Sequence, residues 1–360
     1  MVKIKKRIIS KKELEKYDRQ NVFPSTPTIE EWLFYWLDTY ILDSCSNSTY
    51  ANFKSYCCSH IIPILGDYLI SELDHRHFQC YVDMKLDHGR LDQKGGLSVR
   101  TVKEHIQVLK AAFQKAVEAS YIEHNPCVGI VYPKAVPQEI KTLTRKEQEA
   151  LSSSISCRFE KNSEMTMMVA LYCGLRIGEV AALRLDDIDF MNRRICVDES
   201  LNRITIYHDN GEITHPLTYG KTKTKRVRYV PISDTLYTML KAYLDTMPKE
   251  YQKDERNPLF INRNGKAMEP RNITYHFRKK LKVLGISGVH FHCLRHTFAT
   301  RALESGMNIK YCSAILGHSN TSITENIYMH ATSDQLQKEI KKMDSACIPT
   351  AYTQEQIIHL

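Results

Sequence analysis

The hydrophobic pattern is most regular along residues 99–120, where apolar side chains recur at steps of three and four. The positions are Val102, Ile106, Leu109, Phe113 and Val117. Because this spacing puts them on one face, the segment predicts a long amphipathic helix. Shorter patterns predict a helix that begins at Thr28, one around residues 51–62 that ends before the following proline, and one near residues 74–87. Together they predict an all-helical domain over residues 28–135.

A different pattern follows the proline-containing linker. A capping box at Thr144 opens this region, and helices are predicted at roughly 145–155 and 162–173. Alternating β-branched residues then predict strands at Arg194–Val197, Arg203–Tyr207 and Val227–Ile232. From Tyr275 onward the pattern is helical again, with breaks at glycines. The sequence therefore predicts a mainly α protein with a small antiparallel β-sheet (α+β), whose mixed second domain covers residues 138–345.

Two short segments flank these domains, a basic N-terminal arm over residues 1–27 and a C-terminal tail of mixed polarity over residues 346–360. The first nineteen residues hold eight Lys or Arg against three acids. Residues 221–228 hold five cations and no anion, and the whole chain carries a formal charge of +9. Such blocks suit a partner with repeating negative charge, such as nucleic acid, although the total alone also fits ordinary solubility.

The cysteine pattern indicates reduced thiols. Eleven cysteines are scattered without any Cys-x-x-Cys pair, which is not the spacing of a disulfide framework or a zinc site. No apolar stretch has the length of a signal peptide, and none reaches the roughly 18 residues of a membrane span. We therefore expect a cytoplasmic protein without a membrane partner.

The first candidate for chemistry is Arg176, in the segment Gly174-Leu175-Arg176-Ile177-Gly178-Glu179. It follows a glycine at a predicted helix end, so it lies at a turn. A guanidinium there can offer a planar pair of donors to two phosphate oxygens. An ordinary ion pair with Glu179, three residues later, is the structural alternative.

A second group lies at His292 and Arg295, which share one helical face. An imidazole here can accept a proton, and a second guanidinium can neutralise a phosphoryl group. The crowding of these residues with His290, Cys293 and His296 also raises a metal hypothesis. Their spacing matches neither His-Glu-x-x-His nor a zinc finger, which disfavours zinc.

The last group comprises His318, in a turn after Gly317, and Tyr328 ten residues further on. A phenol ionises only at about pH 10, so it attacks a phosphodiester only with help from neighbouring cations and a base. A leaving oxygen also needs a proton. A lysine at the tip of a hairpin in the basic segment 221–228 can supply it. The candidates are Lys221, Lys223 and Lys225.

In their order and co-occurrence these groups resemble the tyrosine recombinases, the integrase family of phages and mobile genetic elements. The matching segments are residues 173–179, residues 292–300, and residues 316–319 through Tyr328. The likeness covers about residues 28–345. It implies a helical, SAM-like core-DNA-binding domain followed by a mixed α/β catalytic domain.

The resemblance also implies a role for each matching residue. Tyr328 attacks the phosphate and forms a 3′-phosphotyrosyl link, while Arg176 and Arg295 clamp the scissile phosphate. His292 accepts the phenolic proton, and His318 donates a hydrogen bond to a phosphoryl oxygen.

Two further positions follow from the resemblance. Glu179 matches an acidic position that steadies the pocket of arginines and histidines. Lys223, eight residues before Pro231, matches the general acid, with Lys221 as a rival because hairpin length varies. The family needs no metal or nucleotide cofactor, and none is expected here.

The implied partner is double-stranded DNA at recombination sites. Four protomers are expected to act on two duplexes through a Holliday junction, with an accessory directionality or DNA-bending factor as a possible addition. An Xer-type resolvase of chromosome or plasmid dimers is an alternative within the family. A DNA-binding regulator that lost the chemistry and a type IB topoisomerase are alternatives from other classes.

Overall fold

The computed structural model describes residues 23, 26–134, 141–155, 162–208, 212–222 and 226–318. The chain divides into two compact units. One comprises Met1–Gln138 with Arg203–Pro216, and the other comprises Glu139–Asn202 with Leu217–Leu360. No helix within the described ranges is long and apolar enough to cross a membrane.

The first unit is built mainly from helices. They are α1 (Ile29–Trp36), α2 (Asn47–Tyr56), α3 (Ile62–Leu65), α4 (His75–His88) and α5 (Val99–Glu118). The predicted capping box of Thr28 is present, since its side chain accepts from the backbone N–H of Glu31. Four residues of the predicted stripe of α5 lie in a core that also contains Trp32, Trp36 and Phe78, namely Val102, Ile106, Leu109 and Phe113. The fifth, Val117, is only half-buried. The periodicity of residues 99–120 is therefore a sound guide to this core.

The prediction of a helix that ends before Pro63 is wrong. A wider, π-type turn over Cys57–Ile61 follows α2, and α3 then begins at Ile62 with Pro63 in its first turn. A proline lacks the backbone N–H, and the first turn of a helix does not need that donor. The wide turn therefore lets the helical path continue through Pro63.

The second unit combines helices with short strands. Its first helices are α6 (Arg145–Ser153), α7 (Asn162–Cys173) and α8 (Ile177–Ala182). The strands that follow in the chain are β1 (Ile188–Asp189), β2 (Arg194–Val197), β3 (Glu199–Arg203), β4 (Ile206–Tyr207), β5 (Ile213–Thr214), β6 (Leu217–Lys221) and β7 (Arg228–Pro231). The last helices are α9 (Asp234–Asp245), α10 (Lys249–Gln252), α11 (Pro270–Val283), α12 (His292–Glu304) and α13 (Ile309–Leu316).

Helix α7 forms the centre of the second unit, because nearly all of its side chains are buried. Around it lie apolar residues of the other helices and of an antiparallel sheet in the order β1-β2-β7. Ile195 of β2 stands opposite Val230 of β7 in this sheet. The sheet and α7 thus share one core, and both lead directly into the candidate site.

Strands β4 and β5 pair as an antiparallel hairpin that belongs to the first unit. The ring of Tyr207 lies 6.1 Å from that of Tyr50, and the ammonium of Lys54 stands 4.1 Å from the centre of the Tyr207 ring. The single strand predicted over Arg203–Tyr207 is interrupted, since β3 ends at Arg203 and β4 begins at Ile206.

Gly174, which ends α7, should tolerate no side chain. Its φ is +63°, and an added Cβ would lie 2.6 Å from carbons of both Leu316 and Phe298. We expect Gly174→Ala to lower the free energy of unfolding by about 1–2 kcal/mol through backbone strain and by about 1–3 kcal/mol more through overpacking. Urea denaturation measures both contributions together.

Gly306→Ala is the matched control for this substitution. Gly306 has a φ of +88° but nothing within 4 Å of an added Cβ. It should therefore show only the strain of about 1–2 kcal/mol. Equal losses in the two variants would contradict the close packing at Gly174.

Candidate active site

Arg176 is the N-cap residue of α8, two residues after Gly174 turns the chain away from α7. Its backbone N–H donates to Oε2 of Glu179 at 2.9 Å, and its Nη1 donates to Oε1 of the same carboxylate at 2.9 Å. The Arg176 side chain is 27% exposed, whereas that of Glu179 is 2% exposed. The Arg176 guanidinium is therefore held by a buried carboxylate and remains partly accessible to solvent.

A second arginine holds the same carboxylate. Arg228, the first residue of β7, donates from Nη1 to Oε1 of Glu179 at 3.1 Å and from Nη2 to Oε2 at 2.7 Å. Burial alone would raise the pKa of Glu179, but the hydrogen bonds and charge of Arg228, followed by those of Arg176, hold that pKa below its ordinary value. Glu179 is therefore an anion shared by two guanidinium groups.

Arg295 lies in the first turns of α12 and is only 2% exposed. Its Nη1 donates to the carbonyl of Gly174 at 2.8 Å, and its Nη2 donates to the carbonyl of Leu316 at 2.7 Å. Burial, and then the charge of Arg176, lower the pKa of Arg295 to about 9. Because that value lies well above neutrality, the guanidinium keeps its charge at pH 7.

The three arginines meet at the C-terminal end of α13. Arg228 Nε donates to the carbonyl of Ile315 at 2.9 Å, Arg295 to that of Leu316, and Arg176 Nη2 to that of Gly317 at 3.5 Å. The last carbonyls of a helix have no partner in the helix and carry partial negative charge, so cations are favoured there. We refer to Arg176, Arg228 and Arg295 as the arginine cluster.

His318 follows directly on this helix end. Gly317 adopts a left-handed conformation, with φ +67°, and closes α13. Burial, and then the charges of Arg295 and Arg176, lower the pKa of His318 to about 4. The imidazole is therefore neutral at pH 7, with one N–H to donate and one nitrogen to accept.

His292 begins α12 and remains accessible to solvent. Its ring lies 4.7 Å from that of His296, nearly perpendicular to it. Partial burial, and then the charges of His296 and Arg295, lower the pKa of His292 to about 4. A neutral, accessible imidazole has an unprotonated nitrogen that can accept a proton.

Three guanidinium groups around one carboxylate leave two positive charges in excess at this place. All four groups are wholly or largely withdrawn from water, so their charges are weakly screened. An arrangement of this kind binds an anion, and the planar Arg176 group can pair with two oxygens of a phosphate. The site therefore combines a place for phosphate with neutral imidazoles for proton transfer.

The structure brings together five of the residues predicted from the sequence. They are Arg176, Glu179, His292, Arg295 and His318. Lys221 ends β6 and is exposed. Tyr328 and Lys223 lie outside the described residues.

The residues behind the metal hypothesis show no metal-like cluster. In the described ranges, three metal-binding atoms come within 4.8 Å of one another only at Asp187, Cys196 and Asp198. His290 instead contacts Cys293, with Nδ1 3.2 Å from the sulfur. None of the nine described cysteines forms a disulfide.

Sequence reasoning missed Arg228 and His296. Arg228 lies in the basic segment 221–228, whose charge suggests contact with DNA. The sequence signal for its inward position is the alternation of a β-strand, in which residues two apart share one face. Arg228 therefore shares the face of Val230, which is buried, whereas Tyr229 between them is exposed. His296 follows Arg295 and enters the sequence analysis only as a metal ligand.

Two family models match the chain. The model described as "Phage integrase family" matches residues 141–335, which is more than half of the chain. The model described as "Phage integrase, N-terminal SAM-like domain" matches residues 28–86. The first range contains all of the predicted site residues, and the second lies in the helical unit.

Among curated proteins, a tyrosine recombinase XerC-like protein of Caldanaerobacter subterraneus subsp. tengcongensis is 31% identical over 268 residues, which span 70% of this chain and 68% of the relative. The transposase from transposon Tn916 of Enterococcus faecalis is 28% identical over 264 residues, which span 70% of this chain and 63% of that protein. The chain thus spans about two thirds of the length of these relatives.

Solved structures show the same fold. The Tn1549 transposon integrase, in complex with a circular intermediate DNA, matches with a TM-score of 0.71 at 24% identity and covers 88% of this chain and 99% of that chain. A lambda integrase tetramer bound to a Holliday junction matches with a TM-score of 0.60 at 17% identity and covers 82% and 78%. The chain belongs to the phage integrase family of tyrosine-type site-specific recombinases.

Proposed function

We propose that this protein is an integrase that cleaves and rejoins DNA strands through a 3′-phosphotyrosyl intermediate at Tyr328, and so integrates or excises a phage or mobile element. One observation carries the proposal. Arg176 and Arg295 converge at the C-terminal end of α13, just before His318, which itself lies ten residues before Tyr328 in the sequence. The positive charge that can bind a phosphate therefore lies just before the stretch of sequence that contains Tyr328.

The arginines act on the phosphate. Arg176 pairs its exposed donors with the two non-bridging oxygens, and the buried Arg295 adds a second positive charge. Attack adds negative charge to these oxygens in the pentacoordinate transition state. Fixed cations in a place with little water stabilise that charge more strongly than water does. Neutral His318 donates its N–H to one of the same oxygens.

Two proton transfers complete the cleavage. The Tyr328 hydroxyl passes its proton to His292 as its oxygen bonds to phosphorus, and the bond from phosphorus to the 5′-oxygen breaks. Lys223, with Lys221 as the rival, donates a proton to the leaving 5′-oxygen. Rejoining is the reverse, with a 5′-hydroxyl of the other duplex as the attacking group. Because the phosphotyrosyl bond conserves the energy of the broken phosphodiester, we propose that no nucleotide or metal cofactor takes part.

The proposal includes the domains and partners. The helical domain (28–135) and the catalytic domain (138–345) bind double-stranded DNA, while the basic arm (1–27) contacts the phosphate backbone. The lambda integrase tetramer on a Holliday junction supports a tetramer of this chain on two duplexes. The tail (346–360) is a candidate for docking on a neighbouring protomer, and an accessory directionality or DNA-bending factor is a further candidate. Because the proposed substrate is DNA, the proposed location is the cytoplasm.

A resolvase of chromosome or plasmid dimers is the second candidate, because a XerC-like protein is 31% identical to the chain. Sequencing the junctions formed when the protein is expressed with its flanking DNA separates the two. Junctions between element ends and a host site support the integrase. Exchange between two identical chromosomal sites supports the resolvase.

Replacing the nucleophile tests the reaction directly. We expect Tyr328→Phe to reduce covalent adduct formation on nicked suicide duplexes by about 10³-fold or more, since phenylalanine has no oxygen to attack phosphorus. Adduct is measured on denaturing gels, and DNA binding by mobility shift should stay unchanged. Tyr311→Phe is the control, because Tyr311 lies on α13 with 70% of its surface exposed. Adduct formation by the Tyr328→Phe variant at the wild-type level would refute the proposal.

The neutral state of His292 predicts the pH dependence. Its pKa of about 4 means that it can accept a proton throughout the range from pH 5 to pH 8. Cleavage at subsaturating DNA, which reports the free enzyme, should therefore not fall as the pH is lowered through 6.5, and should fall only as the pH approaches 4. His292→Gln should be slower and should lack that acid limb. An inflection of the wild-type rate near pH 6.5 would contradict the assignment.

A further inference from the structure

We propose that Arg228 is a positioning residue of the recombinase site, which holds Glu179 and the end of α13 and thereby places Arg176 and His318. The inference rests on the proposed function, because these two residues act on the phosphate only in that reaction. Arg228 itself is assigned no contact with DNA.

The first support is the shared carboxylate. Arg228 donates to both oxygens of Glu179, at 3.1 and 2.7 Å. Arg176 donates to the same two oxygens at 2.9 Å, from its backbone N–H to Oε2 and from Nη1 to Oε1. Without Arg228, the buried carboxylate would have Arg176 as its remaining guanidinium partner. It would then hold Arg176 more strongly, in competition with a phosphate. Arg228 therefore leaves Arg176 available to the substrate.

The second support is the contact with α13. Arg228 Nε donates to the carbonyl of Ile315 at 2.9 Å. A Cβ added to Gly317 would lie 3.0 Å from Arg228 Cδ and 3.1 Å from its Nε, so the side chain packs directly against Gly317. Since His318 is the next residue, the Arg228 side chain fixes the backbone from which that imidazole projects.

The third support is that Arg228 is held by protein acceptors and is largely buried. Each of its three guanidinium nitrogens donates to a protein acceptor, and its side chain is 10% exposed against 27% for Arg176. These three bonds fix its position, and two of them hold the carboxylate that also binds Arg176. Its geometry fits a residue that holds the phosphate-binding groups in position through Glu179 and the end of α13.

Arg228→Lys tests this role while it keeps the charge. A lysine cannot span both Glu179 oxygens and the Ile315 carbonyl at once, because it lacks the planar pair of donors. We expect single-turnover cleavage of the suicide duplex at saturating DNA to fall about 10- to 100-fold, with DNA affinity within about twofold of wild type. Arg184→Lys is the matched control, since Arg184 holds Glu199 from Nε at 3.2 Å and Nη2 at 3.1 Å. It should cleave like the wild type.

A second substrate separates positioning from general loss of structure. A methylphosphonate at the scissile position replaces one charged oxygen by a methyl group, so it depends less on a correctly placed Arg176. The defect of Arg228→Lys should shrink to within about threefold of wild type on this DNA. Glu179→Gln, which disturbs the same contacts from the other side, should show the same dependence on the substrate. Equal defects on both DNAs in the two variants, or wild-type cleavage by both, would overturn the inference.

Tyr328→Phe, measured in parallel, separates a failure of the proposed function from a failure of the role proposed for Arg228. If it forms adduct, the proposed function fails and the role of Arg228 fails with it. If it forms no adduct while Arg228→Lys and Glu179→Gln cleave like the wild type, the inference about Arg228 fails alone.

Discussion

The candidate site depends on the way three arginines occupy the C-terminal end of α13. Their guanidinium groups donate to the successive carbonyls of Ile315, Leu316 and Gly317. They come from three separate parts of the second unit, namely the turn before α8, the start of β7 and the first turns of α12. A helix end attracts cations because its last carbonyls carry partial negative charge. The helix end that Gly317 closes therefore collects the positive charge of the site.

This arrangement makes the charge a fixed property of the fold. Glu179 compensates one of the three positive charges, and burial weakens the screening of the remaining two. Like charges held together raise the free energy of the empty site, and an entering phosphodiester lowers it. The cations need no rearrangement when negative charge develops on the phosphate, which is the condition under which such groups contribute most to catalysis. Burial, and then these positive charges, lower the pKa of His292 and of His318, so both imidazoles are neutral at pH 7.

The sequence was informative where a local rule decides the structure. Capping boxes placed the starts of α1 and α6, and glycine placed the end of α7. Spacing placed His292 and Arg295 on one helix, and order along the chain indicated the family. These features depend on neighbours within a few residues, which a single sequence displays.

Other features depend on residues far apart in the chain, and the sequence did not reveal them. Arg228 contacts Glu179 across 49 positions and Ile315 across 87 positions, so its basic surroundings suggested a surface residue. The path through Pro63 depends on a wide turn that precedes it. The hairpin of β4 and β5 belongs to the first unit although its residues lie within the segment predicted as the second domain. Local patterns carry no information on such partners.

The most direct test of the account is a crystal structure of the protein trapped on a suicide duplex. The account predicts a covalent bond between phosphorus and the Tyr328 oxygen, with Arg176 and Arg295 donating to the non-bridging oxygens and Arg228 still bound to Glu179. A phosphate attached to another residue, or one that lies beyond hydrogen-bond reach of both Arg176 and Arg295, would contradict it.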